Sequence, residues 1–456
     1  AGIDTATTNT GADVVLTYGG DDTITVDGSG NKTIDGGSGT DSLNITSISN
    51  LSSTTDLLLA NDGSYFNLTF IDGSVVSTSN LEDLQVSGVD YGVYDYNAYE
   101  IGGGTTGGVR GVFLDTATGV AYLARSEVSG STYGGRMLYN TVDGVTVTSV
   151  IGTSLADEFG SGQTWGDVVV NLGDGNDFSY ETAFTNTADI SFGAGDDIAQ
   201  IKMSASDLSA LNTVKFDGGA GSDTLYFEES TLTSGYTLDL TEGGATNFEN
   251  ITGSNADEII NGDANANILK GGKGFDKLYG FGGNDTLYSQ STAYASGITD
   301  NSELYGGTGD DTLYGSDGDD QIDGGAGADT IKSGAGSDTL VLRAGDGGST
   351  LADADTITDF TDGTDAMGLD DGLQYTDLTI AQGTGSNVND TIISQGSEYL
   401  AILTGIDVST VNYLDFASMA TGNQTLSGTS GDDVLLGAAG IDTATTNTGA
   451  DVVLTY

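Results

Sequence analysis

Apolar residues recur singly along much of this chain, at nine-residue intervals, between short glycine-rich stretches. Residues 306–341 break into GGTGDDTLY, GSDGDDQID, GGAGADTIK and SGAGSDTLV, with Leu313, Ile322, Ile331 and Leu340 each in the eighth place. Residues 253–288 break the same way into GSNADEIIN, GDANANILK, GGKGFDKLY and GFGGNDTLY, with Leu278 and Leu287 eighth in the last two. Such a period predicts short stacked strands whose eighth-position side chains fill one narrow core. The tyrosines that follow, Tyr279, Tyr288, Tyr305 and Tyr314, then face outward and stack from turn to turn. The chain has no Pro, which suits a long unbroken ladder of β hydrogen bonds.

Elsewhere the pattern changes. Residues 45–150 lack the nonad, but YFNLTFI, GVRGVFL and VTVTSVI alternate as antiparallel strands do, and GGGTTGG marks a loop. This stretch is the candidate for an outward-facing module. In 151–226, Asp157, Asp177 and Asp197 stand twenty apart, which predicts longer turns; KMSASDLSALNTVK at 202–215 reads as a short helix or a loop. Trp165 is expected on a roll face or at an interface.

A much longer repeat overlies the short one. Residues 1–18 and 439–456 are the same eighteen residues, AGIDTATTNTGADVVLTY. Either this is a duplication introduced artificially, or the chain is a window on a tandem array with a 438-residue period. Asp433, Asp442 and Asp451 keep the nine-residue step across the junction and continue as Asp4, Asp13 and Asp22. The expected division is a roll at 1–44 that continues 425–456 of a preceding copy, a β-module at 45–150 and a longer-turn roll at 151–252. A roll at 253–345, a β-rich cap at 346–424 and a roll at 425–456 entering the next copy complete it. The fold class is therefore all-β: parallel β-roll or β-solenoid segments with interspersed antiparallel modules.

Charge narrows the chemistry. There are 67 acidic residues against 11 basic ones, a net charge of −56. A compact fold with that charge repels itself unless cations bind, and phosphate-binding basic patches are excluded, so no nucleic acid is expected. No Cys and no His removes disulfides, thiolate metal sites and the commonest general base. No apolar stretch is long enough to span a membrane. The acids are dispersed at regular intervals among apolar residues, unlike a disordered tail. Adjacent pairs such as Asp310–Asp311 are read as loop residues, not as a glycosidase acid pair.

Calcium is a hard ion that takes six to eight oxygens. Glycines let a loop turn its carbonyls inward, and an Asp beside them adds carboxylate. Loops on one edge recur every 18 residues, so an ion can be shared by successive turns. The candidate ligands are Asp4, Asp13, Asp22 and Asp41 in the first roll, and Asp177, Asp197 and Asp223 in the longer turns. Asp257, Asp276, Asp285, Asp311, Asp320, Asp329 and Asp338 follow in the third roll, then Asp433, Asp442 and Asp451 in the last. Lys32 and Asn267 stand where an Asp is expected; Asn still offers an oxygen, and the Lys ammonium can neutralise the same loop.

The nonad G-G-x-G-x-D-x-U-x, with U a large apolar residue, resembles the RTX (repeats-in-toxin) calcium-binding motif. That resemblance implies a parallel β-roll with two nonads per turn, multiple Ca2+ ions and export by a type I route. ADTITDFTDGTDAMGLDDGL, with the strands after it in 351–416, resembles the β-rich segment that follows rolls in serralysin-type proteases. It implies a small sandwich-like cap, with Asp355 and Asp365 as further calcium ligands. The protease's zinc motif needs His, so no such activity is implied. Two functions remain at this point. One is a secreted, non-enzymatic, calcium-stiffened fibre, adhesin or surface-layer repeat, with adjacent copies, lateral neighbours or cell-surface glycans as partners. The other is a polysaccharide-binding or polysaccharide-modifying extracellular protein with the rolls as accessories.

Overall fold

In the computed structural model, two columns of apolar side chains run through the C-terminal half, one residue per strand and in register. The first holds Ile251, Leu269, Leu287, Leu313, Ile331 and Ile357, and the second Leu238, Ile260, Leu278, Leu304, Ile322, Leu340, Met367 and Phe416. None is more than 1% exposed. Every eighth-position residue singled out above lies in these columns. Each such burial is worth about 1.5–3 kcal/mol, so the core is thin but strictly repeated.

Among the described residues the chain is all-β, with only short 3-10 turns as helical structure. No described helix is long and apolar enough to cross a membrane. The structure describes 145–160, 164–165, 167–184, 188–202, 215–228, 236–240, 245–290 and 299–419; before and after these it describes chiefly the strands. The chain divides into two units, residues 1–228 with 241–248, and residues 229–240 with 249–456.

The second unit is a parallel roll. On one side Ile268–Gly272, Thr286–Gln290, Thr312–Tyr314, Thr330–Lys332 and Asp355–Ile357 pair in order. On the other, Glu258–Asn261, Asp276–Gly282, Ser302–Thr308, Gln321–Ala326, Thr339–Leu342 and Ala366–Leu369 do the same. The outward tyrosines stack as the period predicts: Tyr279 on Tyr305 at 4.7 Å and Tyr288 on Tyr314 at 4.8 Å between ring centroids.

The segment expected to form a separate sandwich-like cap instead extends the roll. Asp355–Ile357 and Ala366–Leu369 pair parallel with the last nonad strands because Ile357 and Met367 keep the inward register of Ile331 and Leu340. An antiparallel ribbon, Leu378–Gln382, Thr391–Gln395 and Glu398–Leu403, then attaches to Asp355–Ile357.

The first unit begins as a roll, with Thr5–Thr8, Thr23–Val26 and Ser42–Ile45 stacked parallel, and Asp13–Leu16 beside Lys32–Asp35. The described strands of 45–150 pair mostly antiparallel among themselves, as their alternation suggests, although Leu58–Asn61 pairs parallel with Arg125–Val128, and most of them lie within the roll's sheets. Asp83–Val86 pairs parallel with Ser42–Ile45, an antiparallel meander follows through Val89–Tyr94, Val112–Asp115 and Val120–Leu123, and Ser149–Ile151 resumes parallel pairing. The longer turns then stack Val150, Val170, Ile190 and Phe216 into a buried column. Trp165 belongs to this interior: it is fully buried, 4.6 Å from Phe159. Residues 203–214, read as helix or loop, lie outside the described residues.

Candidate metal centre

The sixth-position residue of each loop is buried and tied to the turn before it. In the second unit one edge carries a continuous ladder. The backbone N–H of Asn267 donates to Asp285 Oδ1 at 2.8 Å, Asp285 N–H to Asp311 at 2.7 Å, Asp311 N–H to Asp329 at 2.8 Å, and Asp329 N–H to Asp355 at 3.0 Å. On the opposite edge Glu258 N–H donates to Asp276 Oδ1, Ser302 to Asp320, Asp320 to Asp338 and Asp338 to Asp365, at 2.6–3.2 Å. The first unit has the same ladder on its longer turns: Asp157 to Asp177, Asp177 to Asp197 and Asp197 to Asp223, at 2.6–2.8 Å.

One oxygen of each carboxylate is thus fixed by an N–H. The other is available for a second partner. At Asp177, Asp197, Asp276, Asp285, Asp311, Asp329 and Asp338 that oxygen, Oδ2, is buried and accepts no hydrogen bond. A buried unsatisfied carboxylate oxygen costs several kcal/mol unless a proton or cation meets it. Burial accordingly pushes Asp177 and Asp276 up to about 8, Asp285 and Asp329 to about 7, and Asp197 and Asp338 to about 6. Asp355 is raised well above the ordinary range, again by burial first and the neighbouring Asp329 second.

The glycines explain how the loops close over this oxygen. A Cβ on Gly306, the first residue of its nonad, would lie 2.4 Å from Asp311 Oδ2. Gly307 and Gly309 have φ of +113° and +127°, a conformation that side chains disfavour.

Among the described residues no three His, Cys, Asp or Glu side chains converge as a metal cluster. The candidate donors are instead one buried carboxylate oxygen per loop, beside which the carbonyls of the glycine turn would be further oxygens. All of these are hard oxygens, which suits Ca2+ and no thiophilic metal.

The structure also sorts the candidates. Asp177, Asp197, Asp223, Asp276, Asp285, Asp311, Asp320, Asp329, Asp338, Asp355 and Asp365 sit on the ladders. Asp257 does not: Glu258 takes the ladder place, buried, while Asp257 lies one residue earlier and accepts from Phe275 N–H at 2.9 Å. The ladder place is the sixth of the nonad, two residues before the inward one, and counting from Gly253 that is Glu258, with Ile260 inward. Asp22 and Lys32 are both buried. Asp4, Asp41, Asp433, Asp442 and Asp451 lie outside the described residues, as does the side chain of Asp13.

Sequence reasoning missed a second ladder, formed by the fifth position and running the opposite way. Asn284 Oδ1 accepts from Asp310 N–H and Asp310 Oδ1 from Ala328 N–H; Asn301, Asp319 and Ser337 repeat this, as do Asn176, Asp196 and Ser222. Its signal was an Asn one turn ahead of an Asp at the fifth place.

A family model for the RTX calcium-binding nonapeptide repeat matches the chain in four places, residues 1–28, 261–291, 305–340 and 420–454. The chain carries RTX calcium-binding repeats. Its nonads are calcium-binding motifs, and the two middle matches fall on the ladders of the second unit. The same G-x-G-x-D loops at 173–177, 193–197 and 219–223 lie beyond the matched RTX segments. No curated protein matches the chain. Among solved structures it resembles the extracellular lipase LipA from Serratia marcescens, with 12% identity and a TM-score of 0.19 over 91% of this chain. The chain spans 38% of the length of that lipase.

Proposed function

We propose that this chain is one structural repeat of a secreted protein, a fibre, adhesin or surface-layer component, that folds and stiffens when calcium binds outside the cell. The observation that carries the reading is the identity of residues 1–18 and 439–456 within a run of RTX nonads. An array that re-enters its own roll at the junction couples successive copies through continuous sheets instead of linkers, as a load-bearing element requires.

The ladder carboxylates are the proposed ligands, with Asp285, Asp311 and Asp329 as the unbroken run on one edge of the second unit and Asp177 and Asp197 in the first. A bound Ca2+ supplies the divalent charge and oxygen coordination that these loops call for. The chain's own part is positional. Each backbone N–H holds Oδ1 of the following turn's Asp, so where Oδ2 accepts no hydrogen bond it remains as the oxygen for an ion, and the apolar columns keep successive loops in register. Because the loops are assembled only in the folded roll, binding adds to folding stability. Calcium is scarce in cytosol and abundant outside cells, which gives the chain a folding signal tied to export.

Electron microscopy of the native protein tests this reading. Rods or layers with an axial repeat that fall apart on chelation are expected. Isolated particles indifferent to calcium would overturn it, and enrichment on a polysaccharide would point to the accessory-module role.

A further inference from the structure

Twelve of the described ladder loops, all but those of Asp223 and Asp355, fall into two classes, and one backbone angle separates them. Seven leave the second carboxylate oxygen without a hydrogen bond: those of Asp177, Asp197, Asp276, Asp285, Asp311, Asp329 and Asp338. In all seven the residue four places earlier has positive φ. Six are glycines, among them Gly307 at +113° and Gly325 at +92°. The seventh is Phe281, held at +70° although it is not glycine.

In the other five, the residue at this second loop position is Thr, Ser or Asp, and none of these has positive φ. There its N–H turns onto the ladder side chain. Thr153 N–H donates to Asp157 at 2.5 Å, Ser254 to Glu258 at 3.3 Å, Asp263 to Asn267 at 2.8 Å, Ser316 to Asp320 at 2.6 Å and Thr361 to Asp365 at 2.7 Å. The Ser316 hydroxyl adds a second bond to the same oxygen of Asp320, and the Ser254 hydroxyl bonds the other oxygen of Glu258.

We propose that the second loop position decides which turns take calcium: a residue with positive φ there opens the loop to an ion, and a Ser, Thr or Asp without it closes the loop with its own N–H. The physical reason is competition for one oxygen. A backbone N–H and a cation both seek the same lone pairs, and a loop that satisfies its carboxylate internally gives the ion one fewer ligand and demands that a hydrogen bond be broken. Phe281 is the telling case, because its side chain opposes that backbone conformation, and its loop is nonetheless open.

The consequence is an asymmetric roll. Asp285, Asp311 and Asp329 are consecutive open loops on one edge. On the other edge open and closed loops alternate, with Asp338 open between Asp320 and Asp365. Calcium thus concentrates on the first edge, while hydrogen bonds hold much of the second.

The inference rests on the calcium reading above, and the test separates the two. Calcium titration of the whole 456-residue chain by calorimetry gives the native stoichiometry; no binding at all would sink the calcium reading itself. Ser316→Gly, which frees the loop beside the already open Asp338, is expected to raise the stoichiometry by one ion. Ser316→Ala, which keeps the N–H and still disfavours positive φ, is expected to leave it unchanged. Native binding with no gain in Ser316→Gly, or an equal gain in Ser316→Ala, would overturn the inference alone. Circular dichroism of both variants in calcium confirms that the comparison is between folded chains.

Discussion

At the residue scale, each ladder aspartate of an open loop answers to two partners, an N–H that is part of the chain and a cation or proton that is not. Burial raises the carboxyls of Asp177, Asp276, Asp285, Asp329 and Asp338 from 3.8 to between about 6 and about 8. A folded value above the unfolded one means that the calcium-free roll holds protons which the unfolded chain releases. That contribution to stability is full below about pH 4 and is lost as the pH rises through about 6 to 8. Calcium acts in the opposite direction, since it must displace those protons. Acidifying the chelated chain should therefore restore β structure that is missing at neutral pH, read by far-ultraviolet circular dichroism. A chelated chain that is equally ordered, or equally disordered, across this range would contradict the assignment. The sixth-position ladder was legible from spacing alone, because every turn repeats the same requirement. Glu258 was overlooked in favour of Asp257 because residue type was weighed above position. The role of Ser316 and Thr361 was not legible, since a hydrogen bond from residue i to residue i+4 depends on a backbone angle that composition does not display.

At the scale of elements, strands repeat so closely that one inward residue suffices to set each register. This made the nonad strands readable from the sequence, along with their outward tyrosine stacks. The strands of 45–150 were readable as strands, but their place within the roll's sheets was not. Which edge a meander joins is set by long-range pairing, such as Ser42–Ile45 with Asp83–Val86. The segment after the last nonad differs from the sandwich-like cap for a similar reason: Ile357 and Met367 match the core register, so the sheets continue. Here a guanidinium does what calcium is proposed to do in the loops, bridging successive turns. Arg343 forms a two-pronged pair with Asp323 one turn back and donates Nε–H to Asp370 one turn ahead at 3.0 Å. Replacing it by Met should cost about 1.5–3 kcal/mol, the range for hydrogen bonds to charged groups, and the loss should be the same at every saturating calcium concentration. Denaturant unfolding in calcium measures it. A variant as stable as the native chain would show that the pairs are not structural.

At the scale of the whole molecule, a chain with net charge −56 has few ways to fold around a thin core. The apolar columns favour stacking and the buried carboxylates oppose it, so the balance depends on what neutralises them. That is why the proposed tandem array, the RTX loops and the proposed extracellular role form one account, in which calcium is proposed as both the ligand and the folding signal. The repeat and the calcium chemistry were legible because they are periodic. How many ions are held was not, because it depends on loop conformation, turn by turn. The most direct test is circular dichroism of the intact chain after exhaustive chelation, at a pH above about 8, where protons no longer substitute for the ion. The account predicts that the β signal collapses and returns when calcium is added back. A β spectrum that survives chelation under those conditions would contradict it.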